Sequence, residues 1–494
     1  MKRASFVVAL AAALAGGEAK ARAQGAEYEP TPYADNAEFN GTLSVSDVLS
    51  TAALHFPRIL ESLADRDAAA GRTLSAAGAF DLVVSSNGRA RASGFWSGRF
   101  IDNEISQPLA PFGATLFGNY RIADGTFPIY EDIYFTNRAG EFKVGVLLNL
   151  LRDREIDARR FGRLDARLAY EIAEFELLLA RVGVQHQAMT AYYNWLFAGL
   201  QLQVYRDLLA ISLERQTRLA DQVARGARAA IVLTENQQNV LRRETLVAEA
   251  ERTAAAAATI LSLYLRNEGG APITPQPAAR PSRAPPAEGL AAEAIAQSQY
   301  ALAARPDLAA LRTELARADA RIALSRNELK PKLDFSYEIA RDLGGIQEGG
   351  PSREGLDNIV AFSFKTPLQR RFARGRVLEE QAKRRSLEFR LQRISEQIAA
   401  QIENIRIELV ATERLVNLAG QEVEQAQAMQ TAEVRLFDGG ASDFFRVNLR
   451  EEQTADARIR ALQAQLRQRV ALADLYAATV NLDALGLAPA APTP

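Results

Sequence analysis

The sequence contains no cysteine, and only two histidines, three methionines and two tryptophans in 494 residues. Without cysteine there is no disulfide framework, no thiolate metal site and no cysteine nucleophile. The two imidazoles, His55 and His186, stand too far apart in the chain to form a zinc motif or a triad by spacing, so no metal and no cofactor is expected. A surplus of charge of one sign is also missing. Lys plus Arg number 59 against 60 Asp plus Glu, which gives no reason to expect a nucleic-acid partner. Beyond the N-terminus no apolar run reaches the roughly 18 to 25 residues of a membrane-spanning helix. The longest candidate, Thr253 to Leu265, is Ala-rich and bounded by Arg252 and Arg266. Any membrane role must then come from strands, a lipid-surface helix or a partner. No activated nucleophile, carboxylate pair or phosphate-cradling loop stands out either, so an enzyme is not expected.

What the chain does have is a folding composition, with 48% hydrophobic and 24% charged residues. Its length allows two to four domains. The opening reads as a secretory signal peptide: basic Met1-Lys2-Arg3, an apolar stretch from Ala4 to Gly17, then the small-x-small pattern Ala21-Arg22-Ala23. Cleavage is expected before Gln24. No cysteine follows that point, so no acyl anchor is expected there. Removing residues 1–23 takes away four basic side chains and one acidic one, which leaves the mature chain mildly acidic.

From Asp153 to about Arg225, and again from Val377 to about Phe437, the sequence is free of proline and dominated by helix-forming Ala, Leu, Glu, Gln and Arg. Helices of that length extend on the order of 90 to 110 Å and need neighbours all the way along. Leu391, Ile394, Ile398, Ile402, Ile405 and Leu409 repeat nearer every 11 residues than every 7. Such a stripe favours nearly straight packing over a left-handed supercoil. Each long helix ends in small residues, Arg225-Gly226-Ala227-Arg228-Ala229-Ala230 and Asp438-Gly439-Gly440-Ala441-Ser442, after which a second helix returns. The plan is written twice, as an internal two-fold repeat. The expected division is a signal peptide (1–23), a first repeat (24–270), a Pro-rich linker (271–288), a second repeat (289–487) and a disordered tail (488–494).

Ahead of each hairpin comes a shorter helix with a proline, Phe56-Pro57 or Arg305-Pro306, followed by a change of period. Leu333, Phe335, Tyr337 and Ile339 alternate with Asp334, Ser336 and Glu338, and Val360, Phe362 and Phe364 alternate with Ala361, Ser363 and Lys365. In the first half a strand opens at Phe80 to Val84, and Phe142, Val144, Val146 and Leu148 alternate with Lys143, Gly145 and Asn149. A surplus rich in Gly and aromatics, Trp96 to Thr136, reads as additional strand and surface loop. Four such strands per chain cannot close a barrel alone. A soluble hairpin capping a helical bundle would carry the same alternation.

In order and spacing, Arg305-Pro306-Asp307-Leu308, Leu329-Lys330-Pro331-Lys332-Leu333, Thr366-Pro367-Leu368 and Gly439-Gly440-Ala441-Ser442-Asp443-Phe444 are similar to recurring segments of the TolC-like outer-membrane channels. The resemblance covers about residues 40 to 487. It implies a mainly α fold with a small β part: long helical hairpins forming an α-barrel in a homotrimer, and four strands per chain closing a twelve-stranded transmembrane β-barrel. It implies an outer-membrane exit channel of a tripartite efflux pump or type I secretion system, multi-pass through β-strands and extending into the periplasm. The partners implied are a periplasmic adaptor (membrane fusion) protein, an inner-membrane RND or ABC transporter, and outer-membrane lipid. The alternative is a periplasmic coiled-coil adaptor or scaffold protein.

By the same resemblance the hairpin tips, Arg225, Gly226, Ala227, Asp438, Gly439, Gly440, Ala441 and Ser442, dock the adaptor. A tunnel aperture would lie just past them. Relatives carry aspartates there in the second repeat, whereas this sequence places Arg446 and Leu449 near those positions. Glu235, Asp443, Arg446 and Glu451 are the aperture candidates, with contacts between Glu235 and Arg446 on neighbouring hairpins. Tyr192, Tyr193, Trp195, Phe197 and Tyr205 either pack between helices or ring the tunnel. Arg370, Arg371, Arg374 and Arg376 form either an anionic-lipid contact or a salt-bridged helix start.

Overall fold

The computed structural model describes residues 41–285, 305–347 and 354–487. The expected signal peptide and tail lie outside these residues, as does the stretch 286–304 at the end of the expected linker and the start of the second repeat. Two short helices lead in, α1 (Val45–His55) and α2 (Pro57–Ala77). Ser44 and Asp47 cap α1 reciprocally: the Asp47 N–H donates to the Ser44 hydroxyl at 3.3 Å and the Ser44 N–H donates to the Asp47 carboxylate at 2.8 Å. Pro57 starts α2, where the missing N–H would have had no helical partner. Pro306 does the same for α5 (Pro306–Asn327) in the second half.

Four strands follow α2: β1 (Val83–Ala90), β2 (Arg99–Pro108), β3 (Thr115–Asp124) and β4 (Glu141–Asn149). The chain then descends through α3 (Ala158–Ala224) and returns through α4 (Ala230–Ser262). After α5 come β5 (Lys332–Asp342) and β6 (Asp357–Lys365), then the second long descent α6 (Arg371–Asp438) and its return α7 (Phe444–Thr479). At 67 and 68 residues, α3 and α6 are each about 100 Å long.

The strands form one antiparallel sheet in the order β1-β2-β3-β4-β5-β6, with β4 against β5 joining the two halves. This corrects the expectation of four strands per chain. The surplus between Trp96 and Thr136 supplies a complete extra hairpin, β2–β3. Its alternation is hard to read because Asn103, Gln107 and Gly118 interrupt the apolar positions and Pro108, Pro111 and Gly113 crowd the turn.

Below the sheet the helices pack in two tiers. Near the strands, α3 lies between α2 and α5, and α5 packs on α6; farther down, α3 lies between α4 and α7, and α7 packs on α6. The chain is therefore a slab four helices wide beneath a sheet six strands wide. Its side edges are β1 with α2 and α4, and β6 with α6. The main core sits halfway along α3, where Trp195, Leu196 and Phe197 are fully buried against Leu43, Ile59 and Leu261. Tyr192 and Tyr193 belong to the same core, and Tyr205 packs partly buried beside Ala250 and Ala254. The aromatic cluster is packing between helices. The 11-residue stripe of α6 also turns inward, with Ile398 and Leu409 buried.

Candidate functional site

Three places carry the candidate chemistry: the faces of the sheet, the hairpin tips and a buried ion cluster above the tips. In the sheet, strand periodicity sorts side chains by face. Val84, Ile105, Gly118, Val144 and Ile339 lie at one level on β1 to β5, and Phe335 pairs with Phe362 nearby. This face is open: Phe362 is 80% exposed and Phe364 59%. The other face carries Asp102, Glu104, Arg121, Lys143 and Glu338. Arg121 pairs with Asp102 at 2.6 Å and Lys143 with Glu338 at 3.6 Å. Gly145 is required here, because an added Cβ would lie 2.5 Å from the Phe117 ring and 2.8 Å from the Tyr337 carbonyl oxygen. An open apolar face backed by a paired charged face suits a wall between lipid and water.

The two tips close in the same way. The Gly226 N–H donates to the Val223 carbonyl at 2.9 Å and the Ala227 N–H to the Gln222 carbonyl at 2.9 Å. At the second tip Gly440 donates to Phe437 at 3.1 Å and Ala441 to Leu436 at 2.8 Å. Both are Schellman turns, and both place glycine in the left-handed region, at φ 73° for Gly226 and 76° for Gly440. Arg225, Ala227, Asp438, Gly439 and Ala441 lie exposed around them, and Ser442 hydrogen-bonds Glu433. Arg228 stacks over the Phe437 ring at 5.0 Å and so links one tip to the other.

Just above the tips lies a group that sequence reading did not assemble. Glu451 of α7 is 2% exposed and receives Arg215 of α3 and, at 3.0 Å, Arg243 of α4. Asn448 accepts from the same two guanidiniums, at 3.1 and 3.3 Å, and Arg243 also donates to the Leu208 carbonyl at 3.0 Å. Burial lowers the Arg243 pKa, with the Glu451 charge acting against that shift. The cluster fastens the first hairpin to the second. A signal for it exists in the sequence: Arg215 and Arg243 interrupt apolar stripes on their helices (Leu208 and Leu219; Val240 and Val247), and Glu451 follows Val447 by four.

Of the aperture candidates only Glu451 joins this cluster. Arg446 is exposed; its backbone N–H caps on Asp443 at 2.8 Å and its guanidinium lies 3.7 Å from the same carboxylate. Within the chain Arg446 thus faces Asp443, and Glu235 stands exposed on α4. At the other end of α6, Arg376 pairs with Glu328 at 2.8 Å, Arg370 caps the helix at φ 50°, and Arg371 and Arg374 are exposed. His186 lies 2.6 Å from Asp474 and joins α3 to α7. Burial raises the Tyr192 phenol to about 12, and its hydroxyl donates to the Leu43 carbonyl at 3.0 Å.

The sequence matches no protein-family model and no curated protein. Solved structures do match. VceC, an outer-membrane protein of Vibrio cholerae, is 13% identical with a TM-score of 0.60, covering 88% of this chain and 95% of its own. CusC is 14% identical at 0.60, covering 92% and 97%. The open state of the MtrE outer-membrane channel of Neisseria gonorrhoeae is 14% identical at 0.60, covering 88% of each chain. The likeness runs over nearly the whole length of both partners, so this chain has the fold of the TolC-like outer-membrane channels.

Proposed function

We propose that the protein is an outer-membrane exit channel, a passive conduit that assembles as a homotrimer and spans the outer membrane and the periplasm. The observation that carries this reading is the sheet: an exposed apolar face, a charged and paired opposite face, and open edges on β1 and β6. Such edges cannot stay unpaired in lipid, and association of copies closes them. The helical slab has the same need, since Leu60 and Leu74 on α2 and Phe389, Ile407 and Val410 on α6 stand exposed along its two sides. Of the solved neighbours, VceC is an outer-membrane protein and MtrE an outer-membrane channel. In this assembly the charged face lines water, and the long helices form the tunnel wall.

The tips at Gly226 and Gly440 are the docking points for a periplasmic adaptor, through which an inner-membrane RND or ABC transporter delivers substrate. The tunnel aperture lies just above, at the level of Glu235, Asp443, Arg446 and Glu451. The test has two parts. The protein should fractionate with outer membrane, require detergent and form conducting pores in planar bilayers; release by osmotic shock would instead indicate a periplasmic scaffold. Gly440→Val should abolish export while trimer and membrane insertion persist. Transport that survives this change would leave the tip as a turn only.

A further inference from the structure

The sheet is wider than a channel with four strands per chain requires, and its extra hairpin is built to the same two-faced plan as the rest. On β2 and β3, Ile105 and Leu116 continue the exposed apolar face, whereas Asp102 and Arg121 pair on the charged face. Asn103, on the apolar face, is satisfied locally by the Ser86 hydroxyl at 2.8 Å and the Tyr120 carbonyl at 3.4 Å. The hairpin is hydrogen-bonded on both sides, to β1 and to β4. An added pair of strands also preserves direction, so β4 still runs down into α3 and β6 down into α6.

We infer that the membrane barrel of this protein has eighteen strands, six from each of three chains, above a tunnel of twelve helices. This rests on the trimeric-channel reading and adds the composition of its wall. Width supports it. Strands about 4.8 Å apart and tilted about 40° take up roughly 6 Å of circumference each, so six cover about 37 Å. Four helices spaced about 8–10 Å apart cover about 32–40 Å. A wall of four strands would cover only about 25 Å by the same spacing. The six-stranded sheet therefore sits flush on its four helices. β1 of one chain and β6 of the next meet antiparallel in a head-to-tail ring. The lumen then does not narrow at the membrane, and passage is limited at the tips.

The chain's lack of cysteine makes the test direct. Single cysteines at Ile105, Leu116, Val144 and Phe362, carrying an environment-sensitive fluorophore in reconstituted trimers, should all be quenched by lipids with spin labels on their acyl chains. Glu104→Cys and Asn119→Cys should stay unquenched. In a second experiment, Ser85→Cys with Lys143→Cys should form no disulfide within a chain. The register places two strands between them, about 14 Å of separation, well beyond disulfide reach. Quenching at 144 and 362 without quenching at 105 and 116, or efficient joining of 85 to 143, would overturn the eighteen-stranded wall and leave the trimer standing. Absence of quenching at all four sites, or a monomer by light scattering, would overturn the channel reading itself.

Discussion

The two halves of the chain share one plan and depart from it in different ways at their two ends. At the sheet end the first half spends four strands where the second spends two. At the far end the turns agree bond for bond, with the same Schellman pair and a glycine near φ 75° in each. The difference has a physical basis. A hairpin added to an antiparallel sheet extends the ladder and reverses nothing downstream, so the sheet tolerates it. A helical tip must turn within a few residues between two helices already packed together, and few backbone solutions do that.

Between these ends the halves have exchanged symmetry for attachment. Counted from the tip glycines, Arg215, Arg243 and Glu451 correspond to Met429, Ala457 and Gln237 in the other hairpin, so the ion cluster has no second copy. The first hairpin supplies both cations and the second supplies the anion. Glu451→Ala should consequently be the most damaging change near the tips. It leaves two buried guanidiniums without their counter-ion, which costs about 3–5 kcal/mol. Denaturation of the purified protein should show that loss, with hydrogen exchange raised in the lower parts of α3 and α4. Gln237→Ala, its counterpart on an exposed face, should change stability by no more than about 0.5 kcal/mol.

Much of this comparison was legible in the sequence. The long helices, glycine turns and strands β4, β5 and β6 follow from proline spacing and clean alternation. Strands β2 and β3 were hidden because Asn103 and Gln107 occupy apolar-face positions; Asn103 bonds Ser86 and Tyr120 on the neighbouring strands, and Gln107 donates to the Phe80 carbonyl in the turn ahead of β1. The ion cluster was hidden because its members come from three helices, and charge on a helix ordinarily means a solvated face. Glu451 was singled out as an aperture residue; that it lies buried between two arginines depends on how α7 rotates against α3, which periodicity alone does not specify.

The cores sharpen the contrast further. Trp195 and Leu409 each stand 31 residues before their tip glycine, and both are fully buried. Trp195 sits in a core that gathers α1, α2 and the segments after α4 and α7, whereas Leu409 packs with Ala471, Leu472 and Leu475. Trp195→Ala should cost about 3–5 kcal/mol and Leu409→Ala about 2–3 kcal/mol, measured as shifts in the unfolding midpoint. Equal losses would mean that the two halves are anchored alike.

On the sheet, Ile105→Lys in the added hairpin and Phe362→Lys in β6 should cost alike, about 2–4 kcal/mol each in a lipid-reconstituted unfolding assay. Ser363→Lys, on the charged face, should be nearly neutral. A penalty at 362 without one at 105 would place the added hairpin outside the lipid wall.

The smallest expected effect lies at the tips, where the identical turns lead into helices that are capped differently. Asp443 stands three residues past Gly440 and accepts the Arg446 N–H at 2.8 Å, giving α7 a side-chain N-cap. Ala229 stands three residues past Gly226 and caps α4 with backbone alone. Both cap residues have the extended backbone that an N-cap requires, at φ −104° and −72°. The geometry for a cap is thus present in the first hairpin and only the oxygen is missing. Ala229→Asp should stabilise α4 by about 0.5–1 kcal/mol, and Asp443→Ala should weaken the start of α7 by about 1 kcal/mol. Amide exchange at the first turn of each helix reads both changes directly. If Ala229→Asp slows no amide between 230 and 233, the start of α4 is held by something other than its own hydrogen bonds. A docked partner at that tip would be the next thing to look for.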